Sequence, residues 1–158
     1  MRHSFKIFLP AKETLDTASA LPAESIVPRG DGQTILVVDD EPSIREVAQL
    51  ILESHGYTVL VAEDGPEALA LFAQQAAKVA AVVTDLAMPL MNGLMLVRAL
   101  RRIEPRLKII ISTGRNDDSQ ERQMAVLKVD GYLMKPFTTR NLLLKLSHVL
   151  HPGLQDAA

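Results

Sequence analysis

The chain has 158 residues, 47% of them hydrophobic and 23% charged, with a net charge of −2. That suits one domain with a sizeable core plus an appendage, and the near-neutral balance gives no electrostatic case for nucleic-acid binding. With no cysteine, disulfides and thiolate metal sites are excluded, which fits the cytosol. No run approaches the roughly 18 apolar residues that a membrane-spanning helix needs, and Lys6 interrupts the candidate signal-peptide core, so a soluble, unexported chain without direct membrane contact is expected.

In chain order, residues 4–10 alternate like a strand, and residues 11–33 are rich in Ala, Pro, Ser and Thr without sustained periodicity, which predicts a flexible linker. The folded domain is expected over 34–151, with a short tail at 152–158. Strand and helix patterns then alternate: strands at 35–39, 58–62, 80–85, 108–113 and 131–134, and helices at 43–55, 66–76, 92–102, 118–128 and 138–150. Short Val- and Ile-rich runs followed by helical pattern predict strands buried on both faces of a parallel sheet. The first helix places Ile44, Val47, Ala48 and Ile51 on one stripe, with Gly56 where a left-handed cap residue belongs. The last helix buries Leu142, Leu143, Leu146, Val149 and Leu150 by the same spacing.

Three of the strands end in charge: Asp39-Asp40-Glu41 after the first, Asp85 at the third, and Lys135 after the fifth. In an open α/β sheet the carboxyl ends of parallel strands line one crevice, so these four side chains should converge. Taken singly, acids after a strand cap the next helix or face water, and a lysine before proline is a solvated loop residue. Together they make a site. Three acids repel one another by several kcal/mol per close pair at an effective dielectric of about 20. A hard divalent ion, most simply Mg²⁺, offsets that and leaves coordination positions for water and phosphate. Lys135 adds a compact cation suited to a phosphoryl oxygen, and Asp85 can then act as a nucleophile that becomes an acyl phosphate.

At these residues the chain resembles the receiver domain of bacterial two-component response regulators. The likeness runs over 34–150 through Val37-Val38-Asp39-Asp40-Glu41, Thr84-Asp85-Leu86-Ala87-Met88-Pro89, Asn92-Gly93, Ser112-Thr113-Gly114 and Tyr132-Leu133-Met134-Lys135-Pro136-Phe137, in order and at fitting spacing. It implies a doubly wound, flavodoxin-like fold with five parallel strands in the order 2-1-3-4-5. It further implies that Asp85 accepts a phosphoryl group from a histidine kinase phosphohistidine. Asp40, Asp85 and the Ala87 carbonyl would bind Mg²⁺, with Asp39 acting through water, and a cis Lys135-Pro136 peptide would aim the lysine inward. Thr113 would donate to a phosphoryl oxygen while Tyr132 moves into the space that it leaves, biasing a surface of the fourth helix, fifth strand and fifth helix.

Residues 4–10 are similar to the last strand of a histidine kinase ATPase domain. With a linker and a receiver behind them, this is the layout of a hybrid sensor kinase's C-terminus, from which a histidine phosphotransfer protein would receive the group onward. The alternative is a stand-alone single-domain regulator, the tail after Leu150 leaving no room for a DNA-binding output domain. An aspartate-nucleophile phosphatase is disfavoured because it needs Asp-x-Asp after its first strand. A flavodoxin-type carrier is disfavoured because acids in the first loop repel a flavin phosphate. The basic stretch Arg98, Arg101, Arg102, Arg106 and Lys108 reads as a solvated helix face, and His55, His148 and His151 are not spaced as a metal set.

Overall fold

A computed structural model describes residues 27–114 and 128–153. The strands are β1 (Thr34–Val38), β2 (Thr58–Ala62), β3 (Val79–Asp85), β4 (Lys108–Thr113) and β5 (Gly131–Met134). The described helices are α1 (Pro42–Ser54), α2 (Gly65–Gln75), α3 (Gly93–Ile103) and, last in the chain, α4 (Thr139–Leu150). All neighbouring strands pair in parallel, in the order β2-β1-β3-β4-β5. β1 and β3 are therefore adjacent although β2 lies between them in sequence, and the crevice opens at that reversal. The strand expected at residues 4–10 and the helix expected at 118–128 lie outside the described residues, apart from Lys128, which sits in a turn.

Alternation along the strands sorts the core into two layers. Ile35, Val37, Ala81, Val83, Ile110 and Leu133 face α1 and α4, where they meet Ala48, Leu52, Leu142, Leu143 and Leu146. Leu36, Val38, Val82, Ile109 and Ile111 face α2 and α3, against Phe72, Leu96, Val97 and Leu100. Phe72 is fully buried, and truncating such a ring to alanine costs about 3–5 kcal/mol. Three of the four described helices start at a side-chain cap: Asp64 accepts from Glu67 N, Asn92 from Met95 N, and Thr138 from Asn141 N.

The α1 stripe holds at Ala48 and Ile51, but Leu52 joins it and Val47 leaves it. Ala48 and Leu52 are buried, whereas Val47 is half-exposed. The sheet selects the Ala48–Leu52 line because a small residue there lets the helix approach the strands. Gly56 has φ +87°, as its place after the helix requires, and a Cβ on it would meet the Gly30 carbonyl oxygen at 2.6 Å.

Residues 27–33, the last part of the expected linker, run along the end of α1 and the start of β2. Gly30 N donates to His55 O, Gly32 N to Gly56 O, and Thr58 N to Gln33 O. Val27 packs against the α1 and α4 layer.

Candidate phosphoacceptor site

The face that buries Val37, Val83 and Leu133 continues, two residues on, into Asp39, Asp85 and Lys135. A period of two therefore sends all three side chains to the same side of the sheet at its carboxyl edge. Asp39 and Asp85 are buried, and Asp40 is exposed at the mouth. Carboxylate oxygens of Asp39, Asp40 and Asp85 lie within 4.8 Å of one another. Lys135 Nζ stands 2.6 Å from Asp39 Oδ2 and 3.2 Å from Asp85 Oδ1. The ammonium thus bridges two acids rather than serving Asp85 alone.

The surrounding backbone holds this arrangement. Glu41 N donates to Asp39 Oδ1, and Arg45, from the first turns of α1, donates to the Asp39 carbonyl. Lys135 N donates to Thr113 O at 2.8 Å, tying the lysine to the end of β4, and the Lys135-Pro136 peptide is cis. Gly93 N donates to Leu86 O, and a Cβ on Gly93 would overlap the Asp85 carbonyl oxygen. Glycine is required there by the close approach of α3 to the end of β3.

Burial pushes the Asp39 carboxyl above the usual carboxylate range, against the pull of Lys135 and the Glu41 N–H. For Lys135, burial works to lower the pKa, but hydrogen bonding to Asp39 and the charges of both carboxylates outweigh it and hold the ammonium above the ordinary lysine value. A charged lysine and an acid under desolvation strain describe a pocket short of positive charge. Three carboxylates with hard oxygen donors suit Mg²⁺ or a similar hard divalent cation.

The other expected residues take separate places. Ala87 is exposed in the loop two residues beyond Asp85. Thr113 is buried at the end of β4. Tyr132 is 40% exposed on β5, in register with Ile111, so it shares the Thr113 side of the sheet and not the Asp85 side. Arg45 has no role in the sequence reading, although it sits six residues past Asp39, early in a helix whose start the acids mark.

The basic stretch behaves differently from a solvated face. Arg98, Arg102 and Arg106 are exposed, but Arg101 Nη2 lies 2.9 Å and Lys108 Nζ 3.0 Å from Asp130. Asp130 also accepts from Ile109 N, and Arg101 from the same end reaches Pro105 O and Lys128 O. Asp130 lies 29 residues from Arg101 and 22 from Lys108, so helical periodicity alone gives no sign of this partner.

Comparison with known proteins agrees with the geometry. The family model for the response regulator receiver domain matches residues 35–147. The chain is 34% identical over 154 residues to the sensor kinase CckA of Brucella abortus, covering 93% of this chain and 16% of that protein. It is 39% identical over 122 residues to the response regulator MprA of Mycolicibacterium vanbaalenii, covering 77% and 52% respectively. The chain thus spans about half of one of these relatives and about a sixth of the other. Among solved structures, the chemotaxis protein CheY4 of Vibrio cholerae superposes with a TM-score of 0.71 at 33% identity, over 75% of this chain and 99% of that one. Fold, crevice and family match converge, and the chain belongs to the receiver domains of two-component response regulators.

Proposed function

We propose that this receiver is a phosphoacceptor in a two-component relay and that Asp85 is the residue modified. The observation that carries the reading is the buried Asp85 carboxylate, held beside two further acids and contacted by one lysine at a parallel-sheet edge. In the proposed step an Asp85 oxygen attacks the phosphorus of a phosphohistidine, the P–N bond breaks, and the imidazole leaves with the bonding pair and takes up a proton. Asp39, Asp40, Asp85 and the Ala87 carbonyl are the groups that would hold Mg²⁺, with Asp39 acting through water. Bound there, Mg²⁺ supplies charge neutralisation at the phosphoryl oxygens. Lys135 follows the transferred charge outward to a phosphoryl oxygen, and Thr113 donates to another. Tyr132 then moves toward the space that Thr113 leaves, altering the surface around β5 and α4.

The donor is the phosphohistidine of a histidine kinase, in the parent chain or in trans. In the hybrid arrangement, which the kinase-like residues 4–10 support, a histidine phosphotransfer protein takes the group onward. A cytoplasmic setting suits the lack of cysteine, and among the described residues no helix is long and apolar enough to cross a membrane.

Incubation with a small phosphodonor and Mg²⁺, followed by intact mass measurement, tests the reading. Wild type should gain one labile phosphoryl group and Asp85→Asn none. An equal adduct on the variant places the acceptor elsewhere. A phosphorylated kinase histidine domain should label wild type but not Asp85→Asn.

A further inference from the structure

Ser112 lies on β4 in register with Asp85 on one side and Leu133 on the other. It is 2% exposed, and its Oγ is the one buried side-chain nitrogen or oxygen among the described residues that lacks a hydrogen-bond partner. Buried hydroxyls are nearly always paired, because they give up hydration on folding. The residue before it on the same face of the strand is Ile110, and Ile111 lies on the opposite face, so an aliphatic residue or alanine would satisfy the core. The orphaned hydroxyl therefore calls for a function.

Its neighbours suggest one. The side chain points to the Val83 and Ile110 side of the sheet, the side on which Asp39, Asp85 and Lys135 meet. In the present arrangement Lys135 draws the Asp85 carboxylate toward Asp39 through its two contacts. Once Asp85 carries a phosphoryl group, one of its oxygens bridges to phosphorus and the negative charge moves outward. The ammonium follows that charge and leaves the remaining acyl oxygen, which would face Mg²⁺ on one side and keeps a second lone pair for a hydrogen-bond donor. The structure assigns Ser112 as a positioning residue whose hydroxyl, unpaired before loading, donates to that acyl oxygen and fixes the rotamer of the modified side chain. This assignment rests on Asp85 being the acceptor.

A bond made only in the loaded state has a signature with two opposite signs. Fluoroberyllate, which adds to a carboxylate oxygen as a phosphoryl mimic, reads the loaded state at equilibrium by calorimetry or fluorine NMR. In the presence of Mg²⁺, Ser112→Ala should bind it about two- to tenfold more weakly than wild type, the span of one neutral hydrogen bond. In chelator, with no mimic present, the same variant should melt at a higher temperature, since it no longer buries an unpaired hydroxyl. Unchanged affinity overturns the assignment. So does a lower melting temperature in chelator, because the hydroxyl would then already have a structural partner. If wild type itself takes up no fluoroberyllate, the Asp85 reading falls and this inference with it. Uptake by wild type that is lost in Asp85→Asn but unaltered in Ser112→Ala removes the inference alone.

Discussion

The two ends of this sheet carry opposite charge arithmetic. At the carboxyl edge Asp39, Asp40 and Asp85 share one lysine. At the amino ends of β4 and β5, Asp130 has two cations, Arg101 and Lys108, and a backbone N–H as well. The second cluster is complete within the chain and ties α3 to the approach to β5. The first is complete only if positive charge arrives from outside. A surplus of one sign, largely buried and gathered from strands far apart in sequence, marks the functional end; a closed set of partners marks the structural one.

Breaking the structural end should have the larger effect on stability. Asp130→Ala leaves two cations and the Ile109 N–H without their acceptor and should lower unfolding free energy by about 2–3 kcal/mol, less than a fully buried pair because the acid keeps some exposure. Urea titration measures this, and Mg²⁺ affinity should not change. If Asp130→Ala weakened Mg²⁺ binding as well, the two ends would not be separable.

The functional end should respond in the opposite way. Asp40→Ala should weaken Mg²⁺ binding at least tenfold, about 1.4 kcal/mol, by calorimetry. Without metal the variant should be no less stable than wild type, since it relieves repulsion. A loss of stability in chelator would mean that the acid cluster supports the fold.

The pH dependence in chelator sharpens this further. Asp39 titrates above its ordinary 3.8, so the folded state holds that proton more tightly than the unfolded one. Stability should therefore fall as pH rises from the ordinary toward the raised value. Lys135 titrates above its ordinary 10.5, so its stabilising contribution is present below that value and is lost as pH rises through the raised one. Lys135→Met should abolish the alkaline loss and steepen the acid-side fall, because Asp39 then lacks its counter-charge. Melting temperature against pH reads both, and a variant with the wild-type profile would mean that the lysine does not hold these acids.

The smallest effect should come from Lys108→Met. Its ammonium is partly exposed, and Asp130 keeps Arg101 and the Ile109 N–H, so chemical denaturation should show a loss of only about 0.5 kcal/mol. A loss matching that of Asp130→Ala would make the lysine, not the aspartate, the centre of that cluster.

Much of the site was legible because strand ends are legible. The run Ile35-Leu36-Val37-Val38 can only be buried on both faces, and a charge directly after such a run must lie at the sheet edge. That reasoning places Asp39, Asp85 and Lys135 at the sheet edge from local sequence alone. It could not locate Asp130, which follows no long apolar run and whose cations lie 29 and 22 residues away. Nor could it distinguish Arg101 from Arg98 or Arg102, since helical spacing does not say which arginine finds an acid across the fold. Val47 failed for a related reason: a stripe of apolar residues is wider than the line that the sheet covers.

The sequence by itself determined the alternation of strands and helices, the parallel sheet and the set of charges at its edge, because burial periodicity and chain order are local properties. Only the tertiary structure decided that Lys135 bridges Asp39 and Asp85, that Asp130 closes the opposite end, and that Ser112 is left without a partner in register with Asp85. Those depend on register between strands tens of residues apart, and register is fixed when side chains pack across the sheet, not by any one stretch of chain.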